Sequence, residues 1–342
     1  MSANDRTSPA GRVDLHALEE RQEQEIARKD LVAVENTARE IAERFPDQSD
    51  DAAMTVAVAR VGRGDSEGAL GALNEALDQG LWWPAQWFSM YRDLLAPLEG
   101  NSAYKAVQER AMDLERRAKS HALPPGRILL GGAAPPTSPR LLVLHGRGRN
   151  AQNSIHPWST SLPFVSLLCL ARSSQLWSAQ RYQWDDLPRS EADLRTLVGD
   201  LPQAGEGPSG PLVVGGFSQG ASLAIRTALL QTLPVRGFIA VVPTASVPPD
   251  GSEPLLDLVP RTVGPSVRGV ILAGEKDVST PATRELHRRL IEAGWTVELE
   301  VVPSLGHDYP TDLPKRWPRI FERLEAKGPM GPQTYSTTTR ER

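Results

Sequence analysis

Two textures divide the chain. Over residues 12–45 and 51–79, apolar positions recur at helical spacing among Ala, Leu, Glu, Arg and Gln, residues that favour helices. Two stretches there, 30–45 and 65–80, match at a shift of 35 residues. Val34 falls on Ala69, Ala38 on Leu73, Ile41 on Ala76 and Ala42 on Leu77, an i, i+4, i+7, i+8 series that marks one helical face. Asp30 and Asp65 stand where each helix would be N-capped, and Ala53, Val56, Ala57 and Arg60 suit a partner helix between them. From Arg127 onward the period changes. Short apolar runs at 127–132, 140–145, 164–170, 212–217, 235–242, 267–273 and 296–302 predict strands, and 190–201, 219–231, 281–293 and 313–326 predict helices. Near-continuous Val/Ile/Leu strands separated by helices specify a mainly parallel sheet covered on both faces. Sheets of that kind carry their chemistry at the carboxyl ends of the strands.

Composition sharpens the boundary. Of 29 prolines and 28 glycines, only 4 and 7 fall in residues 1–122. Proline breaks helices, so a proline-poor third and a proline-rich remainder predict two architectures. The expected layout is a disordered start (1–11), a helical domain (12–122), an α/β domain (127–326) and a disordered tail (327–342). A hydrophobic fraction of 40% can fill a core, no apolar run approaches membrane-spanning length, and the first residues do not read as a secretory signal. A single cysteine, Cys169, makes the cytoplasm the default setting. Residues 1–126 carry 15 basic and 22 acidic groups and the remainder 23 and 20, with no clustered basic face, so nucleic acid is not an expected partner.

Three loops at strand ends carry candidate chemistry. Gly216-Phe217-Ser218-Gln219-Gly220 follows a strand and opens a helix, the context a nucleophile elbow requires: a sharp turn with positive φ at the serine and small residues on either side. Asp277 in Gly274-Glu275-Lys276-Asp277 follows the next-to-last strand and is placed to orient a histidine, with Glu275 as a lesser candidate. His307 in Leu305-Gly306-His307-Asp308 follows the last strand and would be the general base. Acyl transfer also needs oxyanion donors. The backbone N–H of Gln219 is one expectation. The Arg147 amide is the other, in Leu144-His145-Gly146-Arg147-Gly148-Arg149, where His145 is read as shaping the loop.

The 35-residue offset and the small-residue face resemble the tetratricopeptide repeat, without its tryptophan and with two copies only. Trp82, Trp83 and Trp87, just beyond, are read either as a peptide groove or as core residues sealing the last repeat. Over about residues 127–326, LHGRGRN, GFSQGAS, GEKD and GHDYP resemble the α/β-hydrolase superfamily, closest to its phospholipase/carboxylesterase branch with acyl-protein thioesterases and small carboxylesterases. The resemblance implies a triad of Ser218, Asp277 and His307, with Arg147 and Gln219 as oxyanion donors. Two places depart from the family pattern: Ala221 stands where a second glycine is common, and Arg149 where an acidic residue is common. Arg147 and Arg149 set positive charge near the expected cleft.

The expected activity is hydrolysis of a carboxylic ester or thioester through an acyl-serine. His145, Gly146, Trp177 and Trp184 are the candidate substrate-binding residues, and Tyr182 lies in the same segment. A serine peptidase of the same fold and a non-catalytic adaptor are the alternatives. No cofactor and no metal are expected, since the histidines are scattered. The substrate would be a small or acyl-bearing molecule. Binding a protein partner, covering the cleft and self-association all stay open for the helical third.

Overall fold

The computed structural model describes residues 9–121, 123–201, 207–244, 250–259 and 267–325. Most of the expected disordered start and all of the expected tail lie outside these residues, but the first helix already begins at Pro9. The chain forms two compact units that do not part at the 122–127 boundary read from the sequence. Unit 1 contains residues up to 129 together with 145–159 and 169–201, and unit 2 contains 130–144, 160–168 and the chain from 202 onward.

Unit 1 opens with α1 (Pro9–Ala27), α2 (Leu31–Arg44), α3 (Ser49–Gly62), α4 (Ser66–Asp78), α5 (Ala85–Met90), α6 (Arg92–Leu95) and α7 (Ser102–Lys119). The two expected caps form: Asp30 accepts the Ala33 N–H at 3.1 Å and Asp65 accepts the Gly68 N–H at 2.8 Å. Val34, Ala38 and Ile41 on α2, and Ala69, Leu73, Ala76 and Leu77 on α4, are all buried. Glu35 on α2 is buried too and accepts from Arg60 on α3 at 2.8 Å and from Arg39 at 3.1 Å, with Arg63 as a third partner. Burial pushes its carboxyl up, but the three guanidinium hydrogen bonds outweigh burial and hold it down at about 2.

The tryptophan question is decided by burial. Trp82, Trp83 and Trp87 sit in one apolar cluster with Leu73, Phe88, Tyr104 and Trp177, and the Trp87 and Trp177 rings lie 5.0 Å apart. All three rings are core, at 3% exposure or less. Trp177 comes from the second half of the chain, and so do the partners of Asp50 at the start of α3. Asp50 is fully buried; it accepts from Ser178 Oγ and the Gln180 N–H, and Arg181 Nε lies 3.5 Å from its carboxylate. Residues 145–159 and 169–201 group with the helices because these contacts complete one core.

Unit 1 also holds α8 (Ile155–Ser159), α9 (Leu187–Gly199) and an antiparallel pair not foreseen from the sequence, β4 (Gln175–Leu176) with β5 (Tyr182–Gln183). The remaining strands match the apolar runs: β1 (Gly126–Gly131), β2 (Arg140–Leu144), β3 (Leu167–Arg172), β6 (Leu212–Phe217), β7 (Val235–Val241), β8 (Arg268–Gly274) and β9 (Thr296–Val302). They form a seven-stranded sheet in the order β1-β3-β2-β6-β7-β8-β9, parallel from β2 through β9. In unit 2 the sheet is accompanied by α10 (Gln219–Leu230), α11 (Leu255–Leu258), α12 (Thr280–Glu292) and α13 (Leu313–Glu325). β6 lies inside the sheet and is buried at all of its six positions, which fixes the point from which the next residue projects.

Candidate active site

Ser218 is the residue between β6 and α10. Its backbone sits at φ 53°, ψ −119°, a conformation that costs a non-glycine residue on the order of 1–3 kcal/mol and persists only where the surroundings enforce it. They do so here by close packing. A Cβ on Gly216 would lie 2.4 Å from the Gly220 backbone, so strand and helix can approach this closely only with glycine at 216. The Ser218 N–H donates to Val241 O at 2.9 Å, tying the elbow to the end of β7.

The next strand ends supply two more groups. Asp277 follows β8, is 5% exposed, and accepts the Ser279 N–H at 2.9 Å through one carboxylate oxygen. Its other oxygen lies 2.8 Å from His307 Nδ1, and His307 Nε2 lies 2.8 Å from Ser218 Oγ. A carboxylate can only accept, so Nδ1 carries the proton and Nε2 is left to accept the Ser218 hydroxyl proton. His307 follows β9, and the ring of Phe217 braces it at a centroid separation of 5.5 Å while stacking on Tyr309 at 4.4 Å. Residues 59 and 89 positions from Ser218 in sequence thus meet in one hydrogen-bonded line. Glu275, the other acid of this loop, takes a different partner: its carboxylate accepts the Ser304 N–H at 2.8 Å. Gln219 heads α10, with the helix N-terminus directed at the position where negative charge would develop on a substrate of Ser218.

The remaining candidates belong to unit 1. His145 is wholly buried. Its Nδ1 donates to Gly146 O at 2.8 Å and its Nε2 accepts the Ser173 N–H at 3.2 Å, so both ring nitrogens are engaged. Burial, with Arg172 adding to it, pushes its pKa down to about 4 despite the Gly146 bond, so the ring is neutral near pH 7. Trp184, 1% exposed, stacks on His145 at 4.9 Å and donates Nε1–H to His145 O at 3.0 Å. Trp177 is buried against Trp87, and its ring lies 3.1 Å from where a Cβ on Gly148 would stand. Where the sequence predicts pocket-lining rings at 177 and 184, the structure places both among buried side chains. Arg147 pairs with Asp185, which meets its charge within the unit, and Gly148 takes φ 67°, as its loop requires. Nothing in the pattern of residues pairs Asp185 with Arg147, which lies 38 positions before it. Among the described residues no three His, Cys, Asp or Glu side chains gather as a metal-holding group.

A family model described as Phospholipase/Carboxylesterase matches residues 174–258, a span that includes the elbow. No curated protein matches the chain significantly. Among solved structures, an uncharacterized protein from Bacillus cereus ATCC 10987 is 21% identical, with 90% of this chain and 98% of that one covered at a TM-score of 0.48. The Bacillus cereus carboxylesterase is 18% identical, covering 61% and 98% at 0.46, and a carboxylesterase from Mesorhizobium loti 20% identical, covering 55% and 90% at 0.43. The chain is thus similar to the phospholipase/carboxylesterase family over residues 174–258, across its elbow, and carries that stretch on a mostly parallel seven-stranded sheet flanked by helices.

Proposed function

We propose that this protein is a serine hydrolase that cleaves a carboxylic ester or thioester through an acyl-serine intermediate. One observation carries the reading: the unbroken line Ser218 Oγ, His307 Nε2, His307 Nδ1, Asp277 Oδ2, with 2.8 Å at each hydrogen bond, on a serine held at positive φ. His307 takes the Ser218 proton as Oγ attacks the substrate carbonyl, then returns it to the departing alcohol or thiol. Water repeats the cycle on the acyl-serine, with His307 again as base. Asp277 fixes the ring and stabilises the imidazolium that forms each time. The Gln219 and Arg147 backbone amides, by family resemblance, are the donors for the oxyanion, each of which is worth roughly 3 kcal/mol in comparable sites.

The test is chemical. A fluorophosphonate probe should label the folded protein at Ser218, and Ser218→Ala should lose both the label and hydrolysis of nitrophenyl esters by at least about 10³-fold. An unlabelled wild-type protein, or full esterase activity in Ser218→Ala, overturns the reading. A series of nitrophenyl esters of increasing acyl length, run beside a thioester and a peptide amide, then fixes the substrate class.

A further inference from the structure

Glu275 stands two residues before Asp277, and the hydrogen-bonded line from Ser218 to Asp277 leaves it unused. It faces the chain that delivers His307. Between the end of β9 and His307, Val302–Leu305 makes a reverse turn, closed by the Leu305 N–H to Val302 O at 3.4 Å. Pro303 is its second residue and Ser304, at φ 60°, its third, which is the type II pattern. That third position calls for glycine or asparagine, because a Cβ is strained at positive φ. Serine is there instead, so something outside the turn has to hold it.

The loop after β8 does so at three points. The Glu275 N–H donates to Val302 O at 2.9 Å, the Lys276 N–H donates to Leu305 O at 2.8 Å, and the Glu275 carboxylate accepts the Ser304 N–H at 2.8 Å. The first two are backbone bonds that any side chain at 275 or 276 would keep. The third belongs to the Glu275 side chain and grips the strained residue itself. Gly274 and Gly306 seal the same contact, since a Cβ on Gly274 would lie 2.3 Å from Gly306 O. Three residues past Ser304, His307 meets Asp277.

We infer that Glu275 is a positioning residue: its carboxylate holds the Ser304 turn in the left-handed conformation that delivers His307 to Asp277 and Ser218. The inference rests on the hydrolase reading for its consequence in rate, and on geometry alone for the turn. If the carboxylate acts as a hydrogen-bond acceptor for a strained turn, two substitutions should each make its loss harmless. Gln at 275 keeps an acceptor oxygen, and Gly at 304 removes the strain.

The experiment compares Glu275→Ala, Glu275→Gln, Ser304→Gly and the double variant Glu275→Ala/Ser304→Gly in the full chain. Nitrophenyl ester kinetics are read beside the low-field NMR resonance of the His307 Nδ1 proton. Glu275→Ala should lower kcat about tenfold with KM little changed, and should broaden or abolish that resonance, because a small displacement of the base is costly to the reaction. Glu275→Gln and the double variant should each recover kcat to within about threefold of wild type and restore the resonance. A Glu275→Ala protein with wild-type kcat and resonance overturns the inference. So does a Gln variant as impaired as Ala, which would assign the effect to charge, or a double variant that is not rescued. If wild type is neither labelled by the fluorophosphonate nor affected by Ser218→Ala, the hydrolase reading fails, and the NMR pattern still decides the clamp.

Discussion

At the scale of single residues, burial separates the two histidines at strand ends. His307 has an exposed flank and one carboxylate partner, whereas His145 is sealed with both nitrogens occupied. The difference has a pH signature. An unfolded chain takes up a proton at His145 near 6.5, the folded chain only at about 4, so folding excludes that proton throughout the interval. The unfolded state then binds more protons, and stability falls as pH is lowered from 6.5 towards 4, by at most about 3 kcal/mol from this group. Urea unfolding at pH 7 and pH 4.5 should show a smaller difference for His145→Gln than for wild type. Equal differences would mean that His145 is not held neutral. Chain order already favoured His307 over His145 as the base, because an α/β-hydrolase places its histidine last; which of the two rings is buried could not be read there.

At the scale of elements, α2 and α3 are joined by a charge link across an otherwise apolar face. Glu35 is held at about 2 against an ordinary value of 4.5, so its stabilisation is complete above pH 4.5 and is lost as pH falls through about 2. Glu35→Ala takes one acceptor from each of Arg60 and Arg63 and should cost about 2 kcal/mol in urea unfolding at pH 7. In wild type the same loss should develop below pH 4.5. The helical pattern of this region was legible because its buried residues repeat on one face and its aspartates cap the helices. Glu35 was not, since a glutamate within such a series reads as a solvated position until the arginines of the next helix are seen to close over it. The seven main strands were legible for a different reason, their short, largely apolar runs. β4 and β5 were not, because two residues are too few to show a period.

At the scale of the whole molecule, the compact units change what a fragment is expected to do. The sequence alone predicts that residues 1–122 fold as an independent helical domain. In the structure, Asp50 takes its acceptor-satisfying partners from Ser178, Gln180 and Arg181, and Trp87 packs on Trp177. Cut at 122, the fragment would lose these partners of Asp50 and leave the aromatic surface around Trp87 bare to water. We expect the fragment to be helical by circular dichroism yet to melt broadly and bind a hydrophobic dye, while the full chain unfolds cooperatively. A sharp melt with no dye binding would show that the helices need nothing from 145–201.

The sequence by itself determined the local order: where the seven main strands and the helices α2, α4, α10, α12 and α13 lie, which glycines flank the serine, and the chain order Ser218, Asp277, His307. Those features depend on neighbours within a turn or a strand, and on the period with which side chains alternate between core and solvent. Only the tertiary structure decided which partners close around them: Arg181 for Asp50, Trp177 for Trp87, Ser304 for Glu275, and the burial that sets His145 apart from His307. Each of these rests on contacts between segments far apart in the chain or on exclusion of water, and neither leaves a period in the sequence.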